Sequence, residues 1–223
     1  MASLWLGIET TSSVGGVALL RNGLPLAEEL FSVMATHSEE LLPGIEKLML
    51  RCGVTGGDVC GIAVSAGPGS YTGLRIGIST AQGLARGWGS GVVAVPTLRA
   101  LACSTGSSLP VLSCIRARKG EVYAAVYEKG SPGSDEILKP GIYTERAVLE
   151  GISGMRELTA AGSGQRTIRL PGNVRRTDGS MDVPSPTEVA MLGAFMASEK
   201  GFDSYPSPIY LRDFNQKASD RVP

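Results

Sequence analysis

The segment Gly67-Pro68-Gly69-Ser70-Tyr71-Thr72-Gly73 constrains this 223-residue chain more than any other. Residues 60–66 before it are short and apolar, which predicts a buried strand. Residues 74–88 after it contain no proline and end among Gly87 and Gly89, which predicts a helix. A buried strand that turns through glycines straight into a helix is the repeating step of α/β folds. Such a turn leaves backbone N–H groups at the positive end of a helix, a geometry that suits phosphate. The same glycines equally suit a tight turn that lets the helix lie close on the sheet, and spacing alone does not separate the two. The segment is not a P-loop, since no Gly-Lys-Ser/Thr follows, and not G-x-G-x-x-G, since Thr72 stands where the last glycine belongs.

The surrounding pattern agrees with α/β logic. Residues 4–8, 14–20 and 24–31 read as three strands, joined by a hydroxyl-rich turn (Glu9-Thr10-Thr11-Ser12-Ser13) and by the hairpin signal Asn22-Gly23. Leu41, Leu42, Ile45, Leu48 and Met49 fall on one helical face, opened by a capping box at Thr36 and Glu39, with Pro43 near the first turns. A strand at 91–95 and a helix from Pro96-Thr97 to about Cys103 follow. Gly106-Ser107-Ser108-Leu109-Pro110 reads as a linker, after which the pattern restarts with a strand at 111–115, a charged turn at 116–120 and a strand at 121–128. The strand–turn–strand opening thus occurs near residue 9 and again near residue 117, which suggests a duplicated fold. Further strands are expected at 137–143, 157–162 and 181–183, then a helix over 187–200 and a polar end over 212–223.

Composition narrows the chemistry. His37 is the one histidine, so no site of two or three imidazoles exists in a monomer, and a His-dependent triad would have to use it alone. Cys52, Cys60, Cys103 and Cys114 form no C-x-x-C pair, and their apolar flanks predict buried free thiols. Lys plus Arg is 21 and Asp plus Glu is 21, a balance that argues against gripping nucleic acid by overall charge. Four Phe and two Trp leave little material for base-stacking platforms. The N-terminus lacks a basic region followed by a long apolar run, and no uncharged run reaches membrane-spanning length. A cytoplasmic chain with no membrane partner and no metal is the expectation.

Several groups are candidates for function, each with a plain structural alternative. Glu9 and Thr10, with the hydroxyls that follow, suit a metal-bound phosphate or an ordinary polar hairpin turn. His37, beside Ser38 and Glu39, suits a base, a partner contact or a capping-region side chain. Arg116-Ala117-Arg118-Lys119 and the run Arg166, Arg169, Arg175 and Arg176 suit RNA phosphate or a solvated surface. Gly73, Gly77 and Ala81 lie four apart on one stripe, where small residues admit a second backbone.

The stretch Ser65-Ala66-Gly67-Pro68-Gly69-Ser70-Tyr71-Thr72-Gly73-Leu74-Arg75-Ile76-Gly77, continued by Ala81-Gln82-Gly83-Leu84-Ala85, closely resembles the signature of the bacterial TsaB (YeaZ) family. Ile8-Glu9-Thr10, His37-Ser38-Glu39 before Leu42-Pro43, Gly120-Glu121-Val122-Tyr123 and Pro208-Ile209-Tyr210-Leu211-Arg212 occur in that family's order, so the resemblance spans nearly the whole chain. It implies an actin/Hsp70/sugar-kinase-like (ASKHA, ribonuclease H-like) fold of two related α/β lobes, the first at 1–105 completed by 208–223 and the second at 106–207. It also implies a part in making threonylcarbamoyladenosine in tRNA, next to the anticodon, as a non-catalytic scaffold or activator of the catalytic subunit TsaD, with the ATPase TsaE joining the complex. A homodimer when alone, indirect contact with tRNA and a nucleotide (ATP or ADP) at the complex interface belong to the same picture.

The chain's own residues fit a non-catalytic member. The catalytic relative uses paired metal-binding histidines, and the corresponding stretch here, Val95-Pro96-Thr97-Leu98-Arg99-Ala100-Leu101, holds none. Arg116 stands where the family commonly has Asp, and its positive charge would repel Mg²⁺. No catalytic residue is therefore assigned. A phosphate or nucleotide site is expected at Glu9, Thr10, Gly67, Gly69 and Ser70. A partner interface is expected at His37, Leu41, Ile45, Leu48, Gly73, Leu74, Gly77, Ile78 and Ala81, so that Gly77→Leu should break association and leave the isolated chain folded. The competing readings are a stand-alone ATPase or small-molecule kinase of the same superfold, and a peptidase, for which the chain offers no G-x-S-x-G elbow.

Overall fold

The computed structural model describes residues 3–32 and 37–211, the side chains of 32 and 37–39 excepted. The capping box at Thr36 and Glu39, the His37 side chain and the end over 212–223 therefore lie outside the described residues. Three strands open the chain: β1 (Leu4–Glu9), β2 (Val14–Arg21) and β3 (Leu24–Ser32). They pair antiparallel, and Asn22 and Gly23, at φ 54° and 77°, make the turn between β2 and β3. Positive φ at both positions matches the strand twist and suits Asn-Gly. β4 (Val59–Gly67) and β5 (Gly91–Pro96) then add in parallel on the other side of β1, giving the order β3-β2-β1-β4-β5.

Both faces of this sheet are covered, which explains why its central strands read as continuous apolar runs. On one face Leu4, Leu6, Ile8, Ile62 and Val64 pack under α1 (His37–Cys52) and α2 (Tyr71–Trp88). On the other, Trp5, Ala18, Ala63, Val93 and Val95 meet α3 (Thr97–Cys103) and α5 (Pro186–Lys200). The expected second unit included residues 186–200, yet α5 lies on the first sheet. Gly7 and Gly193 permit this: a Cβ at Gly7 would stand 2.1 Å from Pro186 O, and one at Gly193 2.3 Å from the Ala63 Cβ.

The second sheet repeats the first. β6 (Val111–Arg116), β7 (Glu121–Tyr127) and β8 (Glu136–Thr144) form an antiparallel meander, and β9 (Leu158–Ala161) and β10 (Val174–Arg176) add in parallel beyond β6. The order β10-β9-β6-β7-β8 is the order of the first sheet written in reverse. α4 (Glu145–Ile152) covers one face through Val148 and Ile152. α3 covers part of the other, its Leu98 and Ala102 meeting Val111, Ala125 and Tyr127, so this one short helix packs on both sheets.

Two local expectations fail. Residues 181–183 form no strand; Gly179–Met181 is a 3₁₀ turn capped by Asp178, and the edge strand is β10 instead. Cys103 and Cys114 are buried thiols whose pKa burial pushes up to about 12, but Cys60 is exposed and Cys52 is half-buried. After α5 the chain runs back over the first sheet. Phe202 stacks on Trp5, Asp203 N donates to Val92 O (2.9 Å) and Asp203 Oδ2 accepts from Ala94 N (2.6 Å). Gln82 Nε2 then donates to Pro206 O (2.9 Å), and Ile209 N to Ala66 O (2.6 Å). Among the described residues no helix is long and apolar enough to cross a membrane.

Candidate functional site

The predicted site residues at the ends of β1 and β4 do come together. β1 delivers Glu9, Thr10 and Thr11, and the loop from Gly67 to Ser70 closes over them before α2 begins. Glu9 is buried, at 1% exposure. Its Oε1 accepts from the Thr11 backbone N–H and the Thr11 hydroxyl, both at 2.5 Å, and its Oε2 accepts from the Ser65 hydroxyl on β4. Burial pushes the Glu9 carboxyl up from the usual carboxylate range to about 7, against the lowering effect of the Ser65 and Thr11 hydrogen bonds. This carboxylate faces its own turn rather than solvent.

The loop also spends its polar groups internally. Gly67 N donates to Thr97 Oγ1 (3.0 Å), Ser70 N to Thr11 O (2.7 Å), and the Thr10 hydroxyl to Gly73 O (2.8 Å). The Ser70 hydroxyl caps α2 by accepting from Gly73 N (3.2 Å). A metal-bound phosphate at Glu9, Thr10, Gly67, Gly69 and Ser70 would have to compete with these bonds. As they stand, the bonds tie the start of α2 to the end of β1. Sequence reasoning missed Ser65 and Thr97, both fully buried polar side chains that complete this network. Neither carries a local signal, since each acts on a residue more than 25 positions away.

The glycine stripe has the same purpose. A Cβ at Gly69 would lie 2.5 Å from the Thr11 Cβ, one at Gly73 1.8 Å from Thr10 O, and one at Gly77 2.3 Å from the Thr10 hydroxyl. Leu41, Ile45, Leu48, Leu74, Ile78 and Ala81, expected as partner contacts, are 4% exposed or less and belong to the chain's own core. Each of the leucine and isoleucine side chains contributes about 2 kcal/mol by leaving water. The stripe of Gly73, Gly77 and Ala81 therefore admits β1 and β4, not a partner, and Gly77→Leu would strike the fold.

What the helices do present outward is different. On α1, Leu42 is 52% and Leu50 81% exposed, eight residues apart on one side. Lys47 and Arg51 of the same helix pair with Glu29 of β3 at 2.5 and 3.4 Å. On α2, Gly83 and Gly87 face open space. At its first turn Tyr71 stacks on Tyr210, and the Arg75 guanidinium lies 5.5 Å from the Tyr71 ring centre. Arg166 and Arg175 pair with Asp182 and Glu157, each at 2.9 Å.

The family model for TsaD, tRNA N6-adenosine threonylcarbamoyltransferase, matches residues 32–200. The tRNA threonylcarbamoyladenosine biosynthesis protein TsaB of Escherichia coli is 31% identical over 224 aligned residues, covering 93% of this chain and 94% of that protein. YeaZ from Pseudomonas aeruginosa superimposes with a TM-score of 0.80 at 26% identity, over 94% of this chain and all of that one. Component A of the (R)-2-hydroxyglutaryl-CoA dehydratase of Acidaminococcus fermentans, 10% identical, reaches a TM-score of 0.50 over 89% of this chain and 99% of its own. That last likeness concerns the fold alone, which is the two-lobed actin/Hsp70/sugar-kinase-like architecture.

Proposed function

As the chain belongs to the TsaB (YeaZ) family, we propose that it serves threonylcarbamoyladenosine biosynthesis in tRNA as a scaffold subunit that docks on TsaD. The observation that carries the docking is the outer side of α1, where Leu42 and Leu50 stand in solvent while their neighbours Leu41, Ile45 and Leu48 fill the core. Exposed leucines held on a rigid helix favour burial against another chain, at about 2 kcal/mol each. The open backbone at Gly83 and Gly87 on α2 allows a partner helix to come near. The interface thus uses the faces of α1 and α2 opposite to those the spacing suggested. In isolation the same faces pair two copies, and TsaE joins once TsaD is bound.

The chain acts here without chemistry of its own. Glu9 and the 67–70 loop serve as the clamp that sets α2 against β1, which supports a structural role over a nucleotide site in this chain. The test is gel-filtration co-elution with TsaD, together with modified tRNA scored in a reconstituted reaction. Leu42→Glu/Leu50→Glu is expected to weaken association at least tenfold, about 1.4 kcal/mol or more, with the thermal melt unchanged because both side chains are exposed. Undiminished co-elution and full tRNA modification by the double variant would remove this reading.

A further inference from the structure

The molecule carries no net charge, yet one turn gathers three cations that form no ion pair among the described residues. β6 ends at Arg116 and β7 begins at Glu121, and Arg116, Arg118 and Lys119 are all exposed within that short span. The turn is closed by Glu121 N donating to Arg118 O (3.0 Å) and Ala117 N to Glu121 O (3.2 Å), with Gly120 at φ 81°. Across from it stands the 164–168 segment, itself tied down. Thr167 Oγ1 donates to Gly164 O (2.8 Å), and the Arg176 guanidinium donates to Gln165 O and to Ile168 O. Between the two walls lies a cavity of about 180 Å³, whose lining includes Arg116, Arg118, Lys119 and Thr167 together with the carboxylates Glu121 and Glu145. Arg166 and Arg175 have carboxylate partners, whereas Arg116, Arg118 and Lys119 have no ion-pair partner among the described residues.

We propose that this turn is a binding site for the phosphodiester backbone of RNA. Three cations against the two carboxylates Glu121 and Glu145 leave the recess net positive, which favours an anion, and the planar guanidinium fork matches two phosphate oxygens at once. The recess is smaller than the roughly 300 Å³ at which pockets begin to enclose whole small molecules. It therefore takes one phosphate group and leaves the attached sugars in solvent, as a polymer backbone requires. No aromatic ring lines it, so it has no means of holding a nucleotide by its base. Contact of this kind positions an RNA without reading its sequence. A neutral chain with one such turn holds RNA weakly and locally, which suits a subunit working beside a tRNA-modifying partner; in that respect the inference rests on the function proposed above.

The experiment is fluorescence anisotropy of a labelled tRNA transcript with the full chain alone, over a series of salt concentrations. Arg116→Ala/Arg118→Ala/Lys119→Ala is expected to weaken binding at least tenfold at low salt. It is also expected to make the slope of log K against log salt shallower by about 1, since roughly one unit goes with each phosphate contact. Arg21→Ala, which removes an exposed cation from the first sheet, should leave both unchanged. The proposal is overturned if the wild-type chain fails to bind the transcript at low salt, or if the triple variant binds with the same affinity and slope. Displacement of the transcript by a mononucleotide at concentrations where inorganic phosphate has no effect also overturns it. Co-elution of the triple variant with TsaD separates the two proposals: loss of RNA affinity with co-elution kept isolates the phosphate site. Absence of co-elution even for the wild-type chain sinks the docking reading and leaves the anisotropy result to stand by itself.

Discussion

Gly73→Ala is expected to cost the chain at least about 3 kcal/mol, while Gly83→Ala, ten residues along the same helix, is expected to stabilise it by about 0.5–1 kcal/mol. The opposite signs come from what each new methyl group meets. At Gly73 it would stand 1.8 Å from Thr10 O and 3.4 Å from the Ser70 Cβ. The first of these is backbone, held in the turn after β1, and cannot swing aside. α2 would have to lift from β1, breaking the Thr10 hydroxyl bond to Gly73 O and opening the core under Leu74 and Ile78. At Gly83 nothing lies within 4 Å, so alanine only removes backbone freedom from the unfolded chain. Urea unfolding of both variants is the measurement. Equal midpoints would mean that the glycine stripe does not set the helix–sheet distance. Gly77→Leu belongs with Gly73→Ala, because Thr10 and Val64 crowd that position.

Glu9→Gln is expected to flatten the pH dependence of stability between 4.5 and about 7. In the folded chain the Glu9 carboxyl titrates near 7, above its unfolded value of 4.5, because burial penalises the charged form. A raised pKa favours the protonated native state. Its contribution is thus fully present below pH 4.5, declines as pH rises, and is gone above about 7. The difference between the two pKa values corresponds to about 3 kcal/mol across that window. Glutamine keeps the shape and stays neutral throughout. Its carbonyl oxygen can take the two Thr11 donors, and its amide can donate to a rotated Ser65 hydroxyl. Above pH 7 the variant should therefore unfold at higher denaturant than the wild type, and the two should converge toward pH 4.5. Subtracting the two profiles removes the other titrating groups, Glu188 among them. Parallel profiles would show that Glu9 ionises freely in the native state.

These two residues also mark where sequence reading stops. The strand–turn–helix step at 60–88 was legible, because glycine and proline placement and apolar runs are local properties of the chain. The hairpin at Asn22-Gly23 was legible for the same reason. That Leu41 faces inward and Leu42 outward was not, since a helix with apolar residues at both positions has two admissible orientations and only the sheet chooses between them. Gly73 and Gly77, expected at a partner interface, face the chain's own sheet instead, because a stripe of small residues states that something comes close and not what. Helix 186–200 was grouped by its place in the chain with the second sheet, yet the fit of Gly193 on Ala63 and of Pro186 over Gly7 put it on the first.

By itself, then, the sequence determined most of the element types and the repeated strand–turn–strand opening, which follow from short-range spacing, while the family came from the resemblance of residues 65–85 to a known signature. The tertiary structure alone decided which face of each helix is spent on the core, and so that α2 turns its glycines inward and α1 turns Leu42 and Leu50 out. It also decided that Glu9 is a buried, hydroxyl-bound group rather than a solvent-facing ligand. The physical reason is common to all three: burial and hydrogen-bond partners are set by residues distant in the chain, such as Ser65 for Glu9 and Thr10 for Gly73, and no local pattern encodes them.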